Sequence, residues 1–141
     1  MHFIKLRIVG EGLDISNISQ TLKMEPTISY KKDDIRVYRN ETIKYKEDCW
    51  LLDVEIANEE EIEFAIDDFV SKFIAHMEII REWAKKCSIT LWLTLYPESI
   101  QLNFHMSNDT LKKIESCGID FDVSIMCLQE FYNGTYNEKD L

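Results

Sequence analysis

Glycine and proline are scarce in this chain, four and two residues in 141, which leaves little room for long flexible linkers. Positive charge is also short. Sixteen Lys and Arg stand against 26 Asp and Glu, a formal net charge of −10, which argues against nucleic acid because phosphate binding relies on cations. No apolar run approaches the ~20 residues of a membrane-crossing helix, so no membrane partner is expected. Met1 to Lys5 does not read as a charged stretch followed by an apolar leader, and the expected compartment is the cytoplasm. Cys49, Cys87, Cys117 and Cys127 are far apart, with no C-x-x-C pair and no matching histidine spacing. They are expected to be reduced thiols without a disulfide or a metal. No G-x-x-x-x-G-K, G-x-G-x-x-G or G-x-S-x-G occurs, so neither a cofactor nor a catalytic residue is assigned.

What the chain does have is apolar mass and alternation. Hydrophobic residues make up 45%, with seven Phe, six Tyr and three Trp, enough for one packed domain. Its expected limits are residues 1–128, with 129–141 a polar tail. Ile4, Leu6 and Ile8 alternate with Lys5 and Arg7, a half-buried strand. Asp14 offers an N-cap to a short helix carrying Ile15, Ile18 and Leu22, which Pro26 is expected to stop. A short strand is expected at Ile35 to Arg39 and a longer one from Trp50 to Ile56. Ile62, Ile66, Phe69, Phe73, Ile80, Trp83 and Cys87 fall at helical spacing, with His76 in the one polar slot of the series. At ~1.5 Å per residue such a helix reaches about 40 Å, so it either overhangs the domain or kinks.

The sharpest pattern lies between Ser88 and Ser107. Around Pro97-Glu98 two alternating runs read as a hairpin, setting Leu95 against Ile100, Leu93 against Leu102 and Leu91 against Phe104. That register puts Leu91, Leu93, Leu102 and Phe104 in the core. It leaves Trp92, Tyr96, Asn103 and His105 on an open face. Ser107 or Asn108 then caps a short helix, Gly118 stops it, and Ile119 to Cys127 alternates as a last strand. Asp120 and Asp122 would pair with Lys5 and Arg7 if the first and last strands were neighbours.

The expected fold is α+β: a two-layer sandwich, a mainly antiparallel sheet with helices on one face, ferredoxin-like in flavour. A weak internal duplication is read from the shared layout of Phe3 to Leu22 and Ile100 to Ile114.

Charge is unevenly spread. Lys23 to Lys46 carries seven basic and four acidic residues, whereas Glu47 to Asp68 carries ten acidic and none basic. Both blocks read first as solvated surface; otherwise they attract partners of opposite sign or face each other. Arg36 and Tyr38 lie in the basic stretch and join Trp92, Tyr96, Asn103 and His105 as candidate binding residues. The run Glu59 to Glu63 lacks the alternation around glycine of a calcium loop and reads as a solvated helix face.

Several anchors resemble a bacterial family of domains of unknown function, number 4279. They are the strand Phe3 to Val9 with Leu13-Asp14-Ile15-Ser16, then Leu22-Lys23-Met24-Glu25-Pro26-Thr27, Lys32-Asp33 and Cys49-Trp50-Leu51-Leu52. Phe104-His105-Met106-Ser107, Leu111 and Gly118-Ile119-Asp120-Phe121-Asp122 continue the likeness. The departure is at Lys32-Asp33, where the family tends to have Lys-Gly-Asp. The resemblance implies the fold and brings no established activity.

Function is therefore expected at the level of class. The leading reading is a small cytosolic binding or interaction protein, forming a homodimer through the open face or neutralising a basic protein partner in the manner of an immunity protein. The alternative is a small-molecule enzyme with its pocket between residues 27–48 and the open face, His105 or Arg36 polarising an anionic substrate.

Overall fold

The computed structural model describes residues 1–127; the expected tail, 129–141, lies outside them. Its elements in chain order are β1 (His2–Gly10), α1 (Ile15–Leu22), β2 (Ile28–Tyr30), β3 (Ile35–Tyr38), β4 (Glu41–Lys44), β5 (Asp48–Ile56), α2 (Ile62–Ile74), α3 (Met77–Ala84), β6 (Ser88–Leu95), α4 (Asn108–Cys117) and β7 (Asp120–Ile125). Five strands form one sheet in the order β2-β5-β1-β6-β7, and β3 with β4 forms a separate ribbon. Within the main sheet only β6 and β7 run parallel.

Period-two alternation in β1 decides the layering. Its even residues, Ile4, Leu6 and Ile8, are fully buried in one cluster with Ile62, Ile66, Phe69, Phe73 and Ile80 of the helices. Ile18 and Leu22 of α1 and Ile114 of α4 join the same cluster, so the helices lie on one face of the sheet. Register carries that parity across: Ile4 faces Leu93, Leu6 faces Leu91 and Ile8 faces both Ile89 and Trp50. The fold is thus an α+β two-layer sandwich.

Local chemistry sets several element ends. Asp14 accepts the Asn17 N–H at 3.0 Å, and Ser107 accepts the Thr110 N–H at 3.2 Å. Gly118 ends α4 at φ 67°, a conformation that costs glycine nothing. α1 ends at Lys23, whose φ is 56° and whose N–H reaches the Ser19 carbonyl, three residues ahead of the expected stop at Pro26. At Gly10 the constraint is space: a Cβ there would lie 2.8 Å from Cys87 Cβ. Gly10→Ala is therefore expected to destabilise the domain by about 1–3 kcal/mol, since β1 or the α3–β6 junction must shift. Urea unfolding checks this; an unchanged midpoint would show that the junction yields freely.

Four expectations meet the structure here, three of them as corrections. The Ser88–Ser107 hairpin does not form: β6 is flanked by β1 and β7, so neither of its edges is free for Ile100 to Met106. That segment is the connection into α4, sending Leu102 and Met106 against the core and leaving Phe104 37% exposed. Second, with no strand there, Ile100 to Ile114 does not repeat the β1–α1 layout. The ferredoxin-like likeness ends at the layering, because helices rather than a tight hairpin join β5 to β6. Third, the long helix kinks rather than overhangs, breaking at Ala75–His76 into α2 and α3. An unbroken rod of about 40 Å would overrun strands of ~30 Å, and the break brings Phe73 and Ile80 both into the core. Fourth, β7 borders β6 rather than β1, which puts Asp120 and Asp122 two strands away from Arg7 and Lys5.

Candidate functional site

The odd residues of β1 define the face opposite the helices. Across it the register aligns Asp53, Lys5, Trp92 and Asp122 in one row and Leu51, Arg7, Thr90 and Asp120 in the next. Trp92 is half-buried: its indole N–H donates to Ser124 Oγ at 2.8 Å, and Lys5 Nζ lies 5.9 Å from the ring centroid. Lys5 also sits 5.8 Å from the Phe3 ring, which meets Tyr96 edge to face at 6.4 Å. Among the described residues neither Lys5 nor Arg7 forms an ion pair. The face therefore offers a central basic strand with Asp53 of β5 on one side and, beyond the uncharged β6, Asp120 and Asp122 of β7 on the other, studded with half-buried rings.

The six candidate residues fall in three places. Trp92 and Tyr96 do belong to the open face and its rim. Arg36 and Tyr38 lie on β3. Asn103 and His105 are exposed on the connection into α4, away from Trp92, because they followed the hairpin that does not form. His2 was not singled out, yet it is fully buried and its Nδ1 accepts the Tyr96 N–H at 3.1 Å. Burial, and then the neighbouring N-terminal charge, lower its pKa, in keeping with a neutral ring that pins the start of that connection.

The β3–β4 ribbon is the most exposed part of the described chain. Every residue from Lys31 to Lys44 is exposed, among them Ile35, Val37, Tyr38 and Ile43. Arg39 and Asn40, at φ 50° and 64°, make the two-residue turn with both φ angles positive that suits a twisted hairpin. An arginine in that conformation is strained by about 1–2 kcal/mol. The guanidinium groups of Arg36 and Arg39 lie 5.6 and 5.2 Å from the Tyr38 ring centroid.

Asp48 ties the ribbon to the domain. Nearly buried at the start of β5, it accepts the Lys32 N–H at 2.7 Å and the Leu13 N–H at 2.9 Å, with Lys31 Nζ at 3.7 Å. The Lys32 N–H above all holds its carboxyl below the usual carboxylate range. Tyr30 stacks on Tyr45 at 3.6 Å between centroids, closing the ribbon's foot against the open-face side of β2. Burial first, then the Cys49 thiol beside it, push the Tyr30 hydroxyl pKa up. A groove of about 400 Å³ runs here, lined by Ile28, Tyr30, Ile35, Arg36 and Tyr45 among others. Arg36 lines this groove and His105 does not.

A family model described as a domain of unknown function (DUF4279) matches residues 1–128. The chain belongs to the DUF4279 family. No curated protein and no solved structure matches it. In this DUF4279 domain the anchors that carried the resemblance are mainly structural. Asp14 and Ser107 cap helices, Trp50 is buried with its indole N–H on Ser19 Oγ at 3.0 Å, and Gly118 ends α4. Where Lys-Gly-Asp is expected of the family, Asp33 itself takes the positive φ, 75°, and the Lys32 N–H still reaches Asp48. Among the described residues no helix is long and apolar enough to cross a membrane, and no cluster of three metal-ligating side chains occurs.

Proposed function

We propose that the protein acts by binding another protein, with the β3–β4 ribbon and the open face beside it as the contact surface. The observation that carries this reading is the ribbon itself. A two-stranded ribbon off the main sheet is marginal in water, and this one exposes apolar side chains on both faces. Ile35 and Val37 lie on one face, Tyr38 and Ile43 on the other. A partner that covers them removes apolar area from water and gains the aromatic and arginine contacts that dominate interfaces.

Two partner classes fit the charge. A basic protein would meet the acidic block from Glu47 to Asp68, as a neutralising partner does, and a second copy of the chain would meet both blocks at once. Four free thiols, Cys127 exposed, suit the reducing cytoplasm as the place of action. The small-molecule enzyme would have to work in the groove beside Arg36 without His105.

The test is cross-linking in the cells that make the protein, comparing the wild type with Val37→Glu. Val37 is 71% exposed, so the charge leaves the core untouched. A cross-linked species that the wild type forms and the variant loses is expected. The same species in both, or none in either, would refute the reading.

A further inference from the structure

Two surfaces without partners among the described residues lie along one edge of the main sheet. β5 forms that edge, and β2 covers only its first half, Ile28 to Tyr30 pairing with Leu51 to Cys49. Thr27 adds one step: its N–H donates to the Leu51 carbonyl at 2.8 Å and its hydroxyl accepts the Asp53 N–H at 3.0 Å. Past Asp53 no described strand lies on that side. Outward-pointing groups alternate along an antiparallel strand, so the Glu55 N–H and carbonyl face the gap. Between this stretch and α2 runs a groove of about 380 Å³, with Val54 39% and Phe64 74% exposed in its lining. Glu55, Glu60, Glu61 and Asp68 line it too, against Lys72, which already contacts Asp68 at 3.4 Å.

The basic ribbon stands at the other end of the same edge. From Lys31 to Lys46 the segment carries six basic and three acidic residues, and the groove lining has the opposite surplus. Among the described residues Arg36 and Arg39 make no ion pair, and Arg39 holds its tip position at a strained φ. β2 ends opposite Cys49 while the groove begins at Val54, roughly 17 Å along the strand at ~3.3 Å per residue. A two-fold axis through the middle of the edge interchanges the two.

We infer that two copies of this chain associate edge to edge, the ribbon tip of each seated in the acidic groove of the other. The inference rests on the protein-binding reading above and names the partner. One patch serves both subunits, as a two-fold interface requires. Arg36 and Arg39 meet Glu60 and Glu61, Tyr38 covers Phe64 and Val54, and a strand is offered to the free backbone groups of Glu55. A second copy is the occupant because the chain carries both halves of the complementarity.

Charge reversal tests it by sedimentation of the full chain at tens of micromolar. The wild type is expected to be a dimer, and R36E/R39E and E60R/E61R each to weaken it at least tenfold. Mixing the two variants restores attraction at both contacts, so an equimolar mixture should dimerise as tightly as the wild type. Where a variant does not fold, hydrogen exchange on the wild type answers instead: the Glu55 amide and residues 35–44 gain protection as concentration rises. A monomeric wild type, a dimer indifferent to both reversals, or a mixture that stays monomeric would overturn the inference. A monomer whose Val37→Glu variant still loses a cross-linked partner would overturn only the second copy and leave protein binding standing.

Discussion

Phe73→Ala will lower the unfolding free energy by about 3–5 kcal/mol, whereas Phe104→Ala will lower it by only about 1–2 kcal/mol. Phe73 is 2% exposed, packed edge to face on Phe69 with ring centroids 4.9 Å apart, at the point where α2 ends over the sheet. Truncating it leaves a cavity that two helices and a five-stranded sheet cannot close. Phe104 keeps much of its ring in water already, so less area is returned to solvent. Paired urea denaturations measure the contrast. Equal losses would mean that Phe104 is a core residue after all and would reinstate the hairpin register.

Asp48→Ala is the second large effect, expected at about 2–4 kcal/mol. The carboxylate is the shared acceptor for the Lys32 and Leu13 N–H groups, whose segments are otherwise joined only by exposed lysine contacts, Lys31 to the Leu13 carbonyl and Lys32 to Glu11. Removing it leaves two part-buried donors without a partner and frees the foot of the ribbon. Asp48→Asn keeps an acceptor oxygen and should lose less. Because the folded carboxyl is held below its unfolded value of about 3.9, its stabilisation is complete at neutral pH and fades as the pH falls through that depressed value. The gap between wild type and Asp48→Ala should therefore narrow in acid. A gap that stayed constant to low pH would show that the charge contributes nothing.

The parts of the fold that were legible from sequence are those where one residue's chemistry or a half-wet strand decides. β1 alternates because one sheet face is packed and the other is half open, and Asp14, Ser107 and Gly118 act within a single turn of chain. Alternation failed at Ile100 to Met106 because it records which residues share a face only if a strand exists. Whether one exists depended on β1, which claims β6 in the register Phe3 to Thr94 from far along the chain. The helical stripe ran unbroken through His76 because the break carries neither proline nor glycine. β4 was missed because Arg39-Asn40 is a poor copy of the Asn-Gly turn signal. Of the candidate site, Trp92, Tyr96, Arg36 and Tyr38 were reachable from local pattern. The acidic groove was not, since it joins Val54 to Phe64 and Asp68 across two elements, and the acidic run alone reads as solvated surface.

The central place of β1 also fixes an order of events during synthesis. β5 can zip onto one side of β1 as soon as Ile56 has emerged, but the other side waits for Ser88 to Leu95. At ~5–20 residues per second that wait lasts about 2–8 s, with an apolar strand edge open to any neighbouring chain. Lys5 and Arg7, spaced along that edge, repel other copies of the same nascent strand while it waits. The two cations that colour the finished open face thus have an earlier duty, as gatekeepers of a half-built sheet.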